Sequence, residues 1–308
     1  MAATETARTA APRPARPARN PHRAWNPNKR PKSKTLTLAM TLGLVYSLLP
    51  LFWLLVNASK TEGNLFSTNG LWFGGHFALF DNIRQTLTYN NGQFVQWFGN
   101  TLLYVVLGAG GATLLATIGG YGLAKFDFPG KRGVLALVLG AVAVPATALA
   151  VPTFLMFSKL GLVNTPWAII VPSLVNPFGL YLMWIFARDA IPNELLEAAR
   201  VDGAREWRIF FSITVKLLRP GMITVLLFAV VATWNNYFLP LIMLNQPKWY
   251  PLTVGLDQWD QQSQTAGGTP IFNLVLTGSV LMILPIMIVF LVMQRYWQSG
   301  LAAGSVKQ

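Results

Sequence analysis

The run IFNLVLTGSVLMILPIMIVFLVM, residues 271–293, holds 23 residues without one Asp, Glu, Lys or Arg. A helix needs roughly 20 such residues to cross the hydrocarbon of a bilayer, where a charge is costly. Five further runs, 36–57, 98–123, 134–157, 166–187 and 220–244, are equally free of charge. The composition agrees. Hydrophobic residues make up 53% of the 308, mean hydropathy is +0.44, and charged residues reach only 11%, against about 25% in an average soluble domain. So few charges do not make a soluble surface on a chain this long. The expected fold is therefore an all-α polytopic membrane protein with six transmembrane helices. Prolines inside the runs (Pro50, Pro145, Pro152, Pro172, Pro177, Pro240, Pro285) are tolerated in lipid where neighbouring helices re-satisfy the freed backbone groups.

Orientation follows from the Lys and Arg of the connections. Taken alternately along the chain, the tails and connections place 20 basic residues on one side and four on the other. With six spans, both N and C termini are expected in the cytoplasm, in the plasma membrane of a prokaryote. The chain is thus expected to divide into a disordered basic tail (1–35), a transmembrane domain of six spans (36–293) and a C-terminal tail (294–308). The first 35 residues hold nine Lys and Arg with six prolines and a single acid, Glu5. Such a segment buries no core; it reads as a topology signal, or as a segment drawn to anionic headgroups with Trp25. The apolar run after it is too long, and lacks the small-residue site, for a cleaved signal peptide.

Locating the charge also disposes of the nucleic-acid reading that a net +13 invites: without residues 1–35 the balance is only +5. No cysteine is present, and the histidines are His22 and His76. Disulfides, thiol catalysis and a His/Cys metal centre are excluded or improbable on those numbers. Gly108, Gly110 and Gly111 follow no strand signal and lack the third glycine of a dinucleotide turn. The spacing Gly108, Ala112, Ala116, Gly120, Ala124 instead puts small residues on one helix face, where another backbone can approach closely. Two long connections, 58–97 and 245–270, carry aromatic residues (Trp72, Phe73, Phe77, Phe80, Tyr89; Trp249, Tyr250, Trp259) with Asp257 and Asp260. The first is expected to include a short interfacial helix. Either connection suits interfacial packing or contact with an external partner.

The connection 188–219 differs from all others. It holds 11 of the 35 charged residues, six basic and five acidic. Pro192-Asn193 reads as a turn and N-cap, Glu194 and Arg200 suit the helix dipole, and Glu197 stands three residues before Arg200. Asp202-Gly203 ends the helix, and a second helix leads from about Ala204 through Trp207, Phe210, Phe211 and Ile213 into the next span.

These residues resemble the EAA loop of ABC importer permeases. The run Glu194-Leu195-Leu196-Glu197-Ala198-Ala199-Arg200-Val201-Asp202-Gly203-Ala204 is similar to the carbohydrate-uptake, MalG-like branch. Leu160-Gly161-Leu162-Val163-Asn164-Thr165, Pro177-Phe178-Gly179, Thr233-Trp234-Asn235-Asn236 with Pro240-Leu241, and Gln294-Arg295-Tyr296 with Gly300-Leu301-Ala302-Ala303-Gly304-Ser305-Val306-Lys307 extend the likeness from the first span to the C-terminus. One departure is Val215-Lys216, where the family usually has Leu-Pro; lysine lets the helix continue where proline kinks it.

The resemblance implies a coupling helix between spans four and five that fits a cleft on a separate ATPase. Glu197, Ala198, Ala199, Asp202 and Gly203 are its expected core. The implied partners are a second, related permease, two ATP-binding ATPase subunits, an extracytoplasmic solute-binding protein and membrane lipid. No cofactor is expected on this chain, because no Gly-x-x-x-x-Gly-Lys-Ser/Thr run occurs to cradle ATP. It is expected not to be an enzyme. Uncharged spans suit a neutral solute. Asn176, Trp234, Asn235, Asn236 and Tyr237 are the candidate pathway residues, since amides bond hydroxyls and aromatic faces stack on sugars; the same residues also suit helix–helix hydrogen bonding. A polyol or glycerol phosphoester is the alternative solute. An ion-driven secondary transporter and a membrane scaffold worked by the basic tail are the alternative classes.

Overall fold

The computed structural model describes residues 33–303, with side chains to residue 294. Residues 1–32 of the basic tail lie outside the described residues, as does the end of the C-terminal tail; the first helix starts at Lys34, inside the expected tail. Among the described residues every regular element is helical. In chain order these are α1 (Lys34–Ala58), α2 (Glu62–Leu65), α3 (Leu79–Tyr104), α4 (Gly110–Lys125), α5 (Lys131–Ala143), α6 (Ala150–Lys159), α7 (Trp167–Leu174), α8 (Pro177–Ala190), α9 (Asn193–Val201), α10 (Glu206–Ile209), α11 (Val215–Trp234), α12 (Phe238–Met243), α13 (Leu252–Gln264) and α14 (Phe272–Ala303). The chain divides into two units inside α1, after Leu49. The α1 residues before that point are exposed on every face, Tyr46 and Met40 among them.

Five helices or continuous helical runs among the described residues are long and apolar enough to cross a membrane, or six if a bent pair is counted as one span. The difference from six plain spans lies in where the helices break. The run 134–157 is α5 and α6 joined through a 3-10 turn, Ala146–Leu149, and bent by 98°. Pro145 stands at the break in extended conformation, whereas Pro152 sits in the first turn of α6, where a missing N–H costs nothing. The run 166–187 is α7 and α8, interrupted at Val175–Asn176. There Asn176 caps α8, its Oδ1 accepting from Gly179 N at 2.8 Å, with Pro177 at the first helical position.

The fifth span ends at Trp234 and not at residue 244: Asn235–Tyr237 leave the helix before α12 resumes. At its other end it starts early. A π-turn, Phe210–Thr214, joins α10 to α11, so that the helix runs on through Lys216 from Glu206. The second span likewise begins within the long connection, as Leu79–Lys125. Residues 89–92 break its first part, with positive φ at Asn90, Asn91 and Gly92, residue types that tolerate it. α14 continues to Ala303, past the expected end of the last span.

The stripe of small residues is the seam of the bundle. Gly108, Ala112, Ala116 and Gly120 are buried, and a Cβ on Gly120 would stand 2.6 Å from Met183 Cβ of α8. A second core gathers Trp97, Trp259 and Phe94 with Leu252 and Leu256. Trp259 is 1% exposed, so that this aromatic of connection 245–270 is core and not a docking surface. Trp72, Phe73, Phe77 and Phe80 do form an exposed file of rings, 5.9–6.3 Å apart.

A buried polar lock fastens α1, α3 and α14. Lys60, wholly buried, donates to Asn57 Oδ1 at 3.0 Å and Asn69 O at 2.7 Å. Asn82 donates to the carbonyls of Ala58 and Lys60 and accepts from Asn273 at 2.9 Å. Glu62 accepts the Asn273 N–H at 2.9 Å, a carboxylate on the N-terminus of α14 as the helix dipole favours.

Candidate functional site

Helix α9 lies between α8 and α10 and turns one side to its own chain. Leu196 and Ala199 are buried, in a cluster with Tyr121, Met183, Ile191, Ile209 and Phe210. Glu194, Glu197, Ala198, Val201, Asp202 and Gly203 are exposed; Val201 reaches 87%. Four of the five residues read as a partner surface, Glu197, Ala198, Asp202 and Gly203, are thus turned outward, while Ala199 is spent on packing within the chain.

The exit from α9 is rigid. Gly203 has φ +77°, its N–H donates to Arg200 O, and the Ala204 N–H reaches back to Ala199 O, both at 3.0 Å. That pair of bonds is the Schellman arrangement, which requires the left-handed conformation glycine takes at low cost. No described residue beyond its chain neighbours stands within 4 Å of a Cβ placed on Gly203. The Glu197–Arg200 pair expected from spacing does not form as a salt bridge. Arg200 Nε turns instead to Glu206 Oε1 at 2.7 Å, bridging the turn into α10. The entry to α9 also differs. Asn193 supplies no side-chain cap; its Oδ1 accepts from Lys125 Nζ at 3.0 Å. The same ammonium donates to Ile191 O at 2.6 Å.

The second feature is a cleft of about 350 Å³ where two helix breaks meet. Ala146, Thr147 and Ala150 line it from the α5–α6 bend, and Asn235, Asn236, Tyr237, Phe238 and Leu239 from the α11–α12 interruption. Thr253 of α13 holds this interruption in place, its hydroxyl donating to Asn236 O at 2.7 Å. Asp257, one turn further on, lies within hydrogen-bonding reach of the Tyr237 hydroxyl.

The family profile described as binding-protein-dependent transport system inner membrane component matches residues 112–302, more than half the chain. It is a binding-protein-dependent transport permease. Among its relatives is the arabinooligosaccharides transport system permease protein AraQ of Halalkalibacterium halodurans, 32% identical over 91% of this chain and 99% of that one. Another is the lactose transport system permease protein LacG of Rhizobium radiobacter, 32% identical over 87% and 94%. A chain of the crystal structure of a bacterial ABC transporter involved in the import of the acidic polysaccharide alginate superposes with a TM-score of 0.73. It is 22% identical, over 87% of this chain and 99% of that one, which shows the shared fold. The permease is accordingly a multi-pass inner-membrane transport protein and not an enzyme, and the ion-driven and scaffold readings fall away.

The permease keeps only part of the expected pathway set together. Asn235, Asn236 and Tyr237 share the 350 Å³ cleft. Trp234 is buried in the core against Phe98, its Nε1 without a hydrogen-bond partner among the described residues. Asn176 lines a separate, apolar cleft of about 280 Å³ between α4, α5 and the α7–α8 break. Lys125, Thr147 and Thr253 belong to these sites and escaped the sequence reading, which placed Asp257 only among the residues of connection 245–270. Lys125 closes a span of 66 residues to Ile191, which no local pattern signals.

Proposed function

We propose that the permease imports a sugar or oligosaccharide, as one half of a pathway completed by a second, related permease. In this reading two ATPase subunits supply the energy and an extracytoplasmic binding protein delivers the solute. Residues 188–219 and both termini face the cytoplasm, and α9 is the coupling helix seated in the ATPase. Relatives named for arabinooligosaccharide and lactose transport support the solute class. So does a cleft lined by two amides and a phenol at helix breaks that carry no charged residue.

The observation that carries the coupling assignment is the outward face of α9. It presents Glu197, Ala198, Asp202 and Gly203 on a helix whose opposite face is packed into α4, α8 and α10. A partner pressing on that face moves the bundle and not a loose loop. Gly203→Arg tests it. The substitution strains a +77° φ and fills space that this chain leaves empty. Membrane insertion is expected to persist while ATPase co-purification and solute uptake are lost; normal uptake by the variant would overturn the assignment.

A further inference from the structure

We propose that Lys125 is a positioning residue of the coupling loop, a bolt that joins the end of α4 to the entry of α9 so that the two move together. The inference rests on α9 being the coupling helix. Its geometry is independent of the residues read as the coupling core. The Lys125 ammonium, in the last turn of α4, holds two acceptors on the other side of the α8–α9 turn: Ile191 O at 2.6 Å and Asn193 Oδ1 at 3.0 Å. These lie before and after Pro192, which has no N–H to offer and is extended, with ψ 139°. The turn therefore has no helical ladder of its own at that point, and a charge-assisted donor from another helix takes over.

The position makes the bolt consequential. Four residues before Lys125, Tyr121 packs on Phe210, at the junction of α10 with the π-turn of the fifth span, and on Phe126. One turn of α4 thus grips the entry of α9 through Lys125 and the helix following its exit through Tyr121. The same helix carries the glycine stripe, with Gly120 laid against Met183 of α8. Force applied to the outward face of α9 has a short, hydrogen-bonded path into α4 and from there along the second span as far as the break at residues 89–92. Without the bolt, α9 retains its apolar anchors, Ile191 before it and Leu196 and Ala199 within it, but loses the polar tie across Pro192.

The test uses the whole complex, permease with its ATPase subunits and binding protein, in lipid nanodiscs. The chain lacks cysteine, so Val201→Cys on the exposed face of α9 takes a single nitroxide. In a Lys125→Met background the complex is expected to assemble and keep its basal ATPase. The nitroxide gains a mobile component, and stimulation by the binding protein falls about tenfold, the size of one charge-assisted hydrogen bond. Lys125→Arg, which keeps a cationic donor, restores most of both. Asn193→Ala removes one acceptor and gives an intermediate effect; combined with Lys125→Met it adds little, because the two share one interaction. An unchanged spectrum and full stimulation in Lys125→Met overturn the bolt. If that variant fails to assemble, the same readouts on Asn193→Ala decide, and silence there overturns it equally. Failure of the coupling reading is distinguishable, because Gly203→Arg would then leave ATPase docking intact, whereas loss of docking there with a silent Lys125→Met sinks the bolt alone.

Discussion

The two ends of the Leu79–Lys125 run, which residues 89–92 interrupt, are held in opposite ways. At the Asn82 end, Asn57, Ser59, Lys60, Asn82, Asn273 and Thr277 are all buried, and their polar groups are spent on one another and on backbone carbonyls. At the Lys125 end, α9 is anchored by two apolar residues and one lysine. The carboxylates of Glu197 and Asp202 make no hydrogen bond or salt bridge among the described residues. A buried polar network is worth having only when every member is satisfied, and it then specifies one geometry. Exposed unpaired carboxylates cost nothing in water and remain available. The first region is built to stay; in the proposed coupling role, the second is the part that the ATPase meets.

Breaking the first region should have the largest effect on stability. Asn82→Leu removes both donors from the Ala58 and Lys60 carbonyls and leaves the Asn273 amide without its acceptor. Several buried groups lose partners at about 1–3 kcal/mol each, so unfolding in detergent should shift by several degrees with the apolar core otherwise intact. An Asn82→Leu protein as stable as the parent would mean that water reaches the lock. A substitution in the seam between the two ends comes next. Gly120→Leu must push Met183 and the α8 backbone aside, since even a Cβ would stand 2.7 Å from Trp184 N. Overpacking of this kind typically costs about 1–3 kcal/mol. Thermal unfolding measures it, and the displacement of α8 should also weaken ATPase docking at α9.

How much of this was legible in sequence follows the same division. The exit of α9 was readable because it is local: Asp202-Gly203 after a helix signal is a Schellman stop, and the Gly203 φ of +77° bears it out. The small-residue stripe was readable because helical periodicity puts every fourth residue on one face. The number of runs followed from charge avoidance, but their breaks did not. Pro50, Pro220 and Pro285 sit within helices, whereas Pro145 stands at a 98° bend; packing around each proline decides, and a single sequence does not display it. The lock was invisible, since Glu62 meets Asn273 across 211 residues and Asn82 in sequence is one amide among many. The candidate pathway residues come together only in part for a related reason. Asn235, Asn236 and Tyr237 are neighbours by chain, but Thr147 reaches their cleft only because of the bend.

The smallest expected effect on stability sharpens the comparison most. Arg200 and Glu206 form the one salt bridge at the exit of α9, with both side chains near 40–45% exposed. Solvent screens such a pair, and its removal costs about 0–1 kcal/mol. Arg200→Met should therefore leave unfolding nearly unchanged, and raised salt should do the same to the parent. The bridge nonetheless spans the turn that sets the angle between α9 and the helix leading into the fifth span. If α9 is the part met by the ATPase, freeing that turn should lower stimulated ATPase by more than its stability cost accounts for. A loss of function in proportion to the small loss of stability would instead place the exit angle wholly under Gly203 and the Ala204–Ala199 bond, with the ion pair a surface ornament of the turn.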